Sequence, residues 1–209
     1  MKDLSEFSAN DLLVAYTIGI FPMAKNSTDL NVSWVCPEKR GIIPINGLHI
    51  SRSLKRKILS KKYRSSFNTS FEKIVLHCRD RKETWINETL FERYLELYER
   101  KFAHSVEIWY DDKIVGGLFG ISIGACFFAE SMFSLKSDGS KLALVALFNR
   151  LKATGFELFD TQFYTQHLGS LGAKEISKND YELKLRHNLN KNTNFFVNNP
   201  EKEFLFYPE

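Results

Sequence analysis

His104-Ser105-Val106-Glu107-Ile108-Trp109-Tyr110, then Asp111-Asp112-Lys113, then Ile114-Val115-Gly116-Gly117-Leu118-Phe119-Gly120-Ile121-Ser122-Ile123, is the stretch that decides the fold. Its first segment alternates between faces and is rich in β-branched and aromatic residues, the Asp-Asp-Lys triplet turns, and the second segment returns. Ala125–Phe133 continues as a further strand. Three consecutive strands joined by tight turns predict an antiparallel meander.

Upstream, Ser51 or Ser53 can cap a basic helix reaching about Lys61, and residues 63–68 look extended. Ser70 opens a helix with Phe71, Ile74, Val75 and Cys78 on one face, and Asn87 caps another with Leu90, Tyr94, Leu97 and Tyr98 at helical spacing. Downstream, the polar loop Ser134–Ser140 leads into an amphipathic helix, Lys141–Thr154. Gly155, a short apolar strand over Glu157–Gln162 and a last helix from near Asn179 follow. Helices, a meander, then helix–strand–helix predict an α+β fold with one twisted, largely antiparallel sheet. Residues 1–45 read as a small N-terminal lobe: a helix near Ser8–Tyr16 ending at Gly19, then short strands near Trp34 and Ile42–Ile45 among Pro22, Pro37 and Pro44. Residues 46–209 form the second part. The tail from Asn190 is Asn-rich, with an apolar end, Phe204–Tyr207, able to dock back.

With 209 residues, 44% of them hydrophobic, the chain can bury one core plus a small lobe. No apolar run reaches the roughly 18 residues of a membrane span. The N-terminus is polar and unlike a secretory signal. Cys36, Cys78 and Cys126 are an odd number without metal-like spacing, so reduced thiols, a cytoplasmic setting and no metal are expected. Net charge is only +4, yet Lys39, Arg40, Arg52, Lys55, Arg56, Lys57, Lys61, Lys62 and Arg64 fall in one stretch, and all 25 acidic residues lie elsewhere. Either this is a solvated helix face, or it meets a polyanion through phosphate contacts.

Glu130 sits in Phe127-Phe128-Ala129-Glu130-Ser131-Met132-Phe133. If alternation turned it to solvent, Phe128 and Met132 would be exposed with it, so a cleft carboxylate is the better expectation. Asp160 and Gln162 share a parity in Leu158-Phe159-Asp160-Thr161-Gln162-Phe163, at a strand end where polar groups serve as site residues or as caps. The Gln162 amide is a poor base, suited to hydrogen-bonded positioning. His104 and His167 lack a nucleophilic partner and read as structural. Residues 134–141, ahead of a helix, can bind an anion through backbone N–H groups but lack P-loop spacing. No pyrophosphate signature of acetyl-CoA enzymes occurs, and Trp34, Trp85 and Trp109 read as core or as stacking platforms.

Together these segments resemble the leucyl/phenylalanyl-tRNA–protein transferase family. The resemblance runs in order from about residue 9 to 189. It passes through Leu12-Leu13-Val14-Ala15-Tyr16, Gly19-Ile20-Phe21-Pro22, Trp34 to Arg40, His49-Ile50-Ser51-Arg52-Ser53-Leu54 and Thr84-Trp85-Ile86. It continues through Ala103-His104-Ser105-Val106-Glu107, Val115-Gly116-Gly117-Leu118-Phe119-Gly120, Glu130-Ser131-Met132-Phe133-Ser134, Asp160-Thr161-Gln162 and His167-Leu168-Gly169-Ser170-Leu171-Gly172-Ala173. The resemblance implies an acetyltransferase-like (GNAT-like) domain after the small lobe. It implies transfer of Leu, Phe or Met from aminoacyl-tRNA to acceptor proteins beginning with Arg or Lys, marking them for degradation, by a monomer without a cofactor. Asp160 and Gln162 match the family's proposed catalytic pair, and Glu130 its acid near the reacting groups. Trp85, Leu118, Phe127, Ala129, Met132, Leu144 and Leu147 fall where the family lines its aminoacyl pocket or seats the terminal adenosine. The tRNA surface would use Arg40, Arg52, Lys55, Arg56, Lys57, Lys61 and Lys62.

Three departures bear on these expectations. The family usually has a longer segment before Leu12, so the lobe is shortened and tRNA binding strength is in question. It usually has Gly where Ala129 stands, which bears on the choice of amino acid. Its usual Cys is Thr161, expected on the opposite strand face and of little consequence. The expected reaction is attack by an acceptor α-amine on the aminoacyl ester, which needs no ATP or metal. Asp160 would polarise Gln162, or the tRNA 2′-hydroxyl would relay the proton. Two rivals stay open: an acyl-CoA-dependent N-acyltransferase and a non-catalytic RNA-binding module.

Overall fold

The structure, a computed structural model, describes residues 7–81 and 83–196. Helix α1 (Ala9–Thr17) is held by a capping box between Ser8 and Asp11. Strands β1 (Phe21–Ala24) and β2 (Val32–Val35) form a small antiparallel ribbon. Strand β3 (Lys39–Ile42) leaves that ribbon for the main sheet. Helix α2 (Arg52–Leu59), strand β4 (Tyr63–Phe67) and helices α3 (Phe71–Arg79) and α4 (Glu88–Glu99) follow. The Asn87 side chain caps α4 through the Leu90 N–H.

The expected meander is present as β5 (Ala103–Tyr110), β6 (Lys113–Ile123) and β7 (Cys126–Ser134). Asp111 and Asp112 both hold positive φ, the mirror-image two-residue turn that suits strand twist. Helix α5 (Gly139–Ala153), β8 (Leu158–Gln162), α6 (Gln166–Gly169), β9 (Lys174–Ser177) and α7 (Lys178–Leu189) complete the described order.

Seven strands make one sheet in the order β4-β5-β6-β7-β8-β3-β9. Every neighbouring pair is antiparallel except β7 and β8. This is the α+β class with one largely antiparallel sheet expected from the sequence. Strand β3, from within residues 1–45, lies between β8 and β9, so the early segment supplies part of the main sheet. Both faces of the sheet are covered. Phe119, Ile121, Phe128 and Phe133 pack with α1, α3 and α4 on one side. Val106, Ile108, Leu118 and Phe127 pack with α2 and α5 on the other. Phe195, just past the helices, is buried beside the Phe127 and His104 rings. The expectation for residues 204–207 lies outside the described residues.

Candidate active site

The site is built from two strand irregularities that face each other. Strands β6 and β7 pair Phe119 with Ser131 and Gly120 with Ala129, which leaves Glu130 as the extra residue of a β-bulge. Strands β3 and β8 pair Gly41 with Gln162 and Ile42 with Asp160, which leaves Thr161 extra on β8. Between them, β7 and β8 are paired in parallel from Cys126 and Leu158 to Phe128 and Asp160, where the ladder stops. The strands part there, and Glu130 and Gln162 lie just past the point of parting.

Glu130 Oε1 accepts a hydrogen bond of 2.9 Å from Gln162 Nε2, and Oε2 accepts one of 2.9 Å from the Tyr94 hydroxyl. The Tyr16 hydroxyl is buried beside them, outside good hydrogen-bond geometry but close enough to interact with both Glu130 and Tyr94. Burial pushes the Glu130 carboxyl up to about 7; the surrounding phenols and the Gln162 amide favour the carboxylate and offset only part of that rise, and the Asp160 charge adds to it. Burial also holds the Tyr16 and Tyr94 phenols well above their ordinary range. A carboxyl poised near neutrality can hold a cation or take up a proton.

Asp160 is wholly buried. Arg40 Nε reaches both of its oxygens, at 2.9 and 3.1 Å, and Arg40 Nη2 lies 2.7 Å from Oδ2. Oδ2 also accepts from the Tyr181 hydroxyl, and Oδ1 accepts from the Gln162 backbone N–H, both at 2.7 Å. Asp160 therefore meets Gln162 through the main chain, not through the side-chain amide. Gln162 holds a left-handed φ of +63°. For a residue other than glycine this costs on the order of 1–3 kcal/mol and persists only where the surroundings enforce it. Gly41, its partner on β3, permits the close approach: a Cβ there would sit 2.6 Å from the Phe163 carbonyl carbon.

A cavity of about 100 Å³ opens beside Glu130. Leu118, Ala129, Met132 and Leu144 line it, together with Ser131, Thr161 and Leu168. Thr161, expected to sit apart from the site, is on its wall with a buried hydroxyl that has no partner. Phe127 and Leu147 are not on this wall. Both are fully buried behind it, and the Phe127 ring packs on Phe156, Phe159 and Phe195. Trp85 borders a second, open cleft of about 440 Å³ with Met23 and Lys25. Tyr94 is buried between Trp85 and Glu130, with its ring edge-on to Trp85 at 6.4 Å and its hydroxyl on Glu130.

The basic stretch divides on folding. Arg40 is 1% exposed and spent on Asp160, so it belongs to the interior and not to the tRNA surface expected of it. Lys57 turns to Asp138 and Ser137, Lys39 pairs with Glu175, and Arg64 pairs with Asp112. Arg52, Lys55, Arg56, Lys61 and Lys62 remain exposed, with no ion pair among the described residues. The anion site expected over residues 134–141 does not form. The Ser140 N–H is taken by Ser134 Oγ, that of Gly139 by the Lys136 carbonyl, and the Asp138 carboxylate stands there between Lys57 and Lys141. His104 is buried between Asn68 and Ser122, as a structural histidine would be.

Sequence reasoning missed Tyr16, Tyr94, Tyr181 and the inward role of Arg40. A signal existed for Tyr94. It stands on the apolar face of α4 with Leu90 and Leu97, where a buried hydroxyl must find a partner.

Residues 5–38 match the family described as leucyl/phenylalanyl-tRNA protein transferase N-terminal domain, and residues 42–186 match leucyl/phenylalanyl-tRNA protein transferase. A leucyl/phenylalanyl-tRNA–protein transferase of Ruegeria sp. is 50% identical over 188 residues, covering 90% of each chain. One of Cereibacter sphaeroides is 50% identical over 88% of this chain and 86% of its own, and one of Maricaulis maris is 47% identical over 86% and 85%. Matched along both of its parts, the chain belongs to the leucyl/phenylalanyl-tRNA protein transferase family.

Proposed function

We propose that this chain moves a hydrophobic aminoacyl group from the 3′ end of a charged tRNA onto the N-terminal Arg or Lys of an acceptor protein, marking that protein for degradation. In this reading it works as a monomer in the cytoplasm. The observation that carries the reading is the Glu130–Gln162 bridge at the edge of an apolar cavity, where β7 and β8 part.

The aminoacyl side chain enters the cavity, which places the ester carbonyl beside the bridge. The acceptor's α-amine nitrogen attacks that carbonyl carbon, the bond to the ribose oxygen breaks, and an amide bond forms. The amine loses a proton and the leaving ribose oxygen gains one. Glu130 is the ionisable side chain on the cavity wall, so it holds the incoming ammonium group and receives its proton. The Gln162 amide oxygen orients the amine. Asp160, saturated by donors, orients Gln162. Because an ester is already activated, orientation and proton removal suffice.

The terminal adenosine rests in the open cleft beside Trp85, and Arg52, Lys55, Arg56, Lys61 and Lys62 meet tRNA phosphates. Cavity size bears on the side chain transferred. A cavity of ~150 Å³ accommodates benzene, so one of about 100 Å³ favours Leu or Met over Phe. The test is Gln162→Leu, which keeps the size of the side chain and removes its amide. Transfer from charged tRNA should fall about tenfold or more; a variant as fast as the natural chain would remove Gln162 from the reaction.

A further inference from the structure

We propose that Arg40 is a positioning residue of the transfer reaction, acting through Asp160 to hold Gln162 in its left-handed conformation. The inference rests on the reading of Gln162 as the group that orients the amine.

The contacts run in one direction. The Arg40 guanidinium is gripped on every side: by both oxygens of Asp160, by the Gly19 carbonyl at 3.0 Å, and by the Phe21 and Tyr181 rings at 4.6 and 4.4 Å. Burial alone would lower its pKa, but the Asp160 carboxylate overrides this and holds it above its ordinary value. Arg40 is therefore a fixed cation. A buried ion pair is weak evidence of net stabilisation, since apolar residues of similar volume often do as well. This one has an output that apolar residues would lack. Its carboxylate ends on the Gln162 N–H at 2.7 Å, at a residue whose backbone is strained. From that backbone the Gln162 side chain reaches Glu130.

The geometry also explains why the cation comes from β3. Strand β3 is the neighbour of β8 at its bulge, with Gly41 opposite Gln162 and Ile42 opposite Asp160. A residue next to Gly41 is thus placed to reach Asp160 while the bulge passes the glycine. The planar fork of arginine binds a carboxylate through two nitrogens, which fixes its orientation as a point charge cannot. With a less rigid partner, Asp160 can turn, Gln162 can relax toward an extended φ, and its amide leaves Glu130.

The test uses two variants and separates kcat from KM. Arg40→Lys keeps the charge and loses the fork. We expect kcat to fall at least tenfold, with KM for charged tRNA within about twofold and its salt dependence unchanged. Arg40→Met with Asp160→Leu removes both charges, so no charge is left buried and unpaired. Its melting temperature should stay within a few degrees of the natural chain, while kcat remains at least tenfold low. Natural kcat in either variant would overturn the proposal, and so would a raised KM with an altered salt slope in Arg40→Lys, which would make Arg40 a tRNA contact. A natural chain that transfers nothing would instead defeat the functional reading itself.

Discussion

Gln162 Nε2 lies 2.9 Å from Glu130 Oε1, although the two residues belong to parallel strands whose ladder ends at Phe128 and Asp160. The bridge exists because each strand carries one unpaired residue just there, Glu130 on β7 and Thr161 on β8. A bulge re-aims side chains, and two facing bulges turn a regular sheet into a cleft. The cost is a buried carboxyl.

That cost sets a pH dependence of stability. The Glu130 carboxyl has a folded pKa of about 7 against 4.5 for an ordinary glutamate. Between these values the folded chain keeps a proton that the unfolded chain has released, so the contribution is full below pH 4.5 and is lost as pH rises through 7. At about 1.4 kcal/mol per unit, the loss is ~3 kcal/mol. Glu130→Gln, which cannot ionise, should therefore gain about that much relative to the natural chain between pH 4.5 and pH 8. Urea unfolding of both proteins across this range is the measurement, and parallel curves would contradict the burial of an ionisable Glu130.

The same titration should appear in the rate. Glu130 receives the proton as a carboxylate, so transfer should rise as pH passes through about 7. The acceptor amine loses its own proton near pH 8 in both proteins, so the comparison with Glu130→Gln isolates the carboxyl. The variant should be at least tenfold slower at pH 8 and lack the inflection near 7. An inflection retained in the variant would assign it to the amine alone.

Much of this was legible in the sequence. Alternation and the Asp111-Asp112 turn gave the meander, and an acid among apolar residues marked Glu130. Parity gave less, because it assumes unbroken strands. On a regular strand Ala129 and Glu130 point to opposite faces, yet the bulge lets both border one cavity. Thr161 reached the cavity wall for the same kind of reason. Arg40 was misplaced because a run of basic residues carries no sign of which member will meet a buried acid 120 positions away. Long-range pairing of that kind is a property of the sheet order, not of the local pattern.

Residue 129 should influence which amino acid is transferred. Ala129 is on the cavity wall with Thr161 and Leu118. One methylene in an apolar pocket discriminates by roughly 10–200-fold. Ala129→Gly should raise the ratio of Phe to Leu transfer by about tenfold, measured with both charged tRNAs and one acceptor peptide. An unchanged ratio would show that residue 129 does not limit the pocket.

The exposed part of the basic stretch should bind tRNA through phosphates. Replacing Arg52, Lys55 and Arg56 with Glu should weaken binding and lower the slope of log affinity against log salt by about one for each lost contact. Lys57 and Arg40, both committed to acids, stand outside this set. Equal slopes for variant and natural chain would place the tRNA elsewhere.

The most direct test is transfer itself. The purified chain is mixed with tRNA carrying labelled leucine and with a peptide that begins with Arg, without ATP, coenzyme A or added metal. The account predicts that label leaves the tRNA and appears in an amide bond on the peptide's N-terminus, and that Gln162→Leu slows this at least tenfold. Label that stays on the tRNA, or a peptide acylated only when an acyl-CoA is supplied, would contradict it.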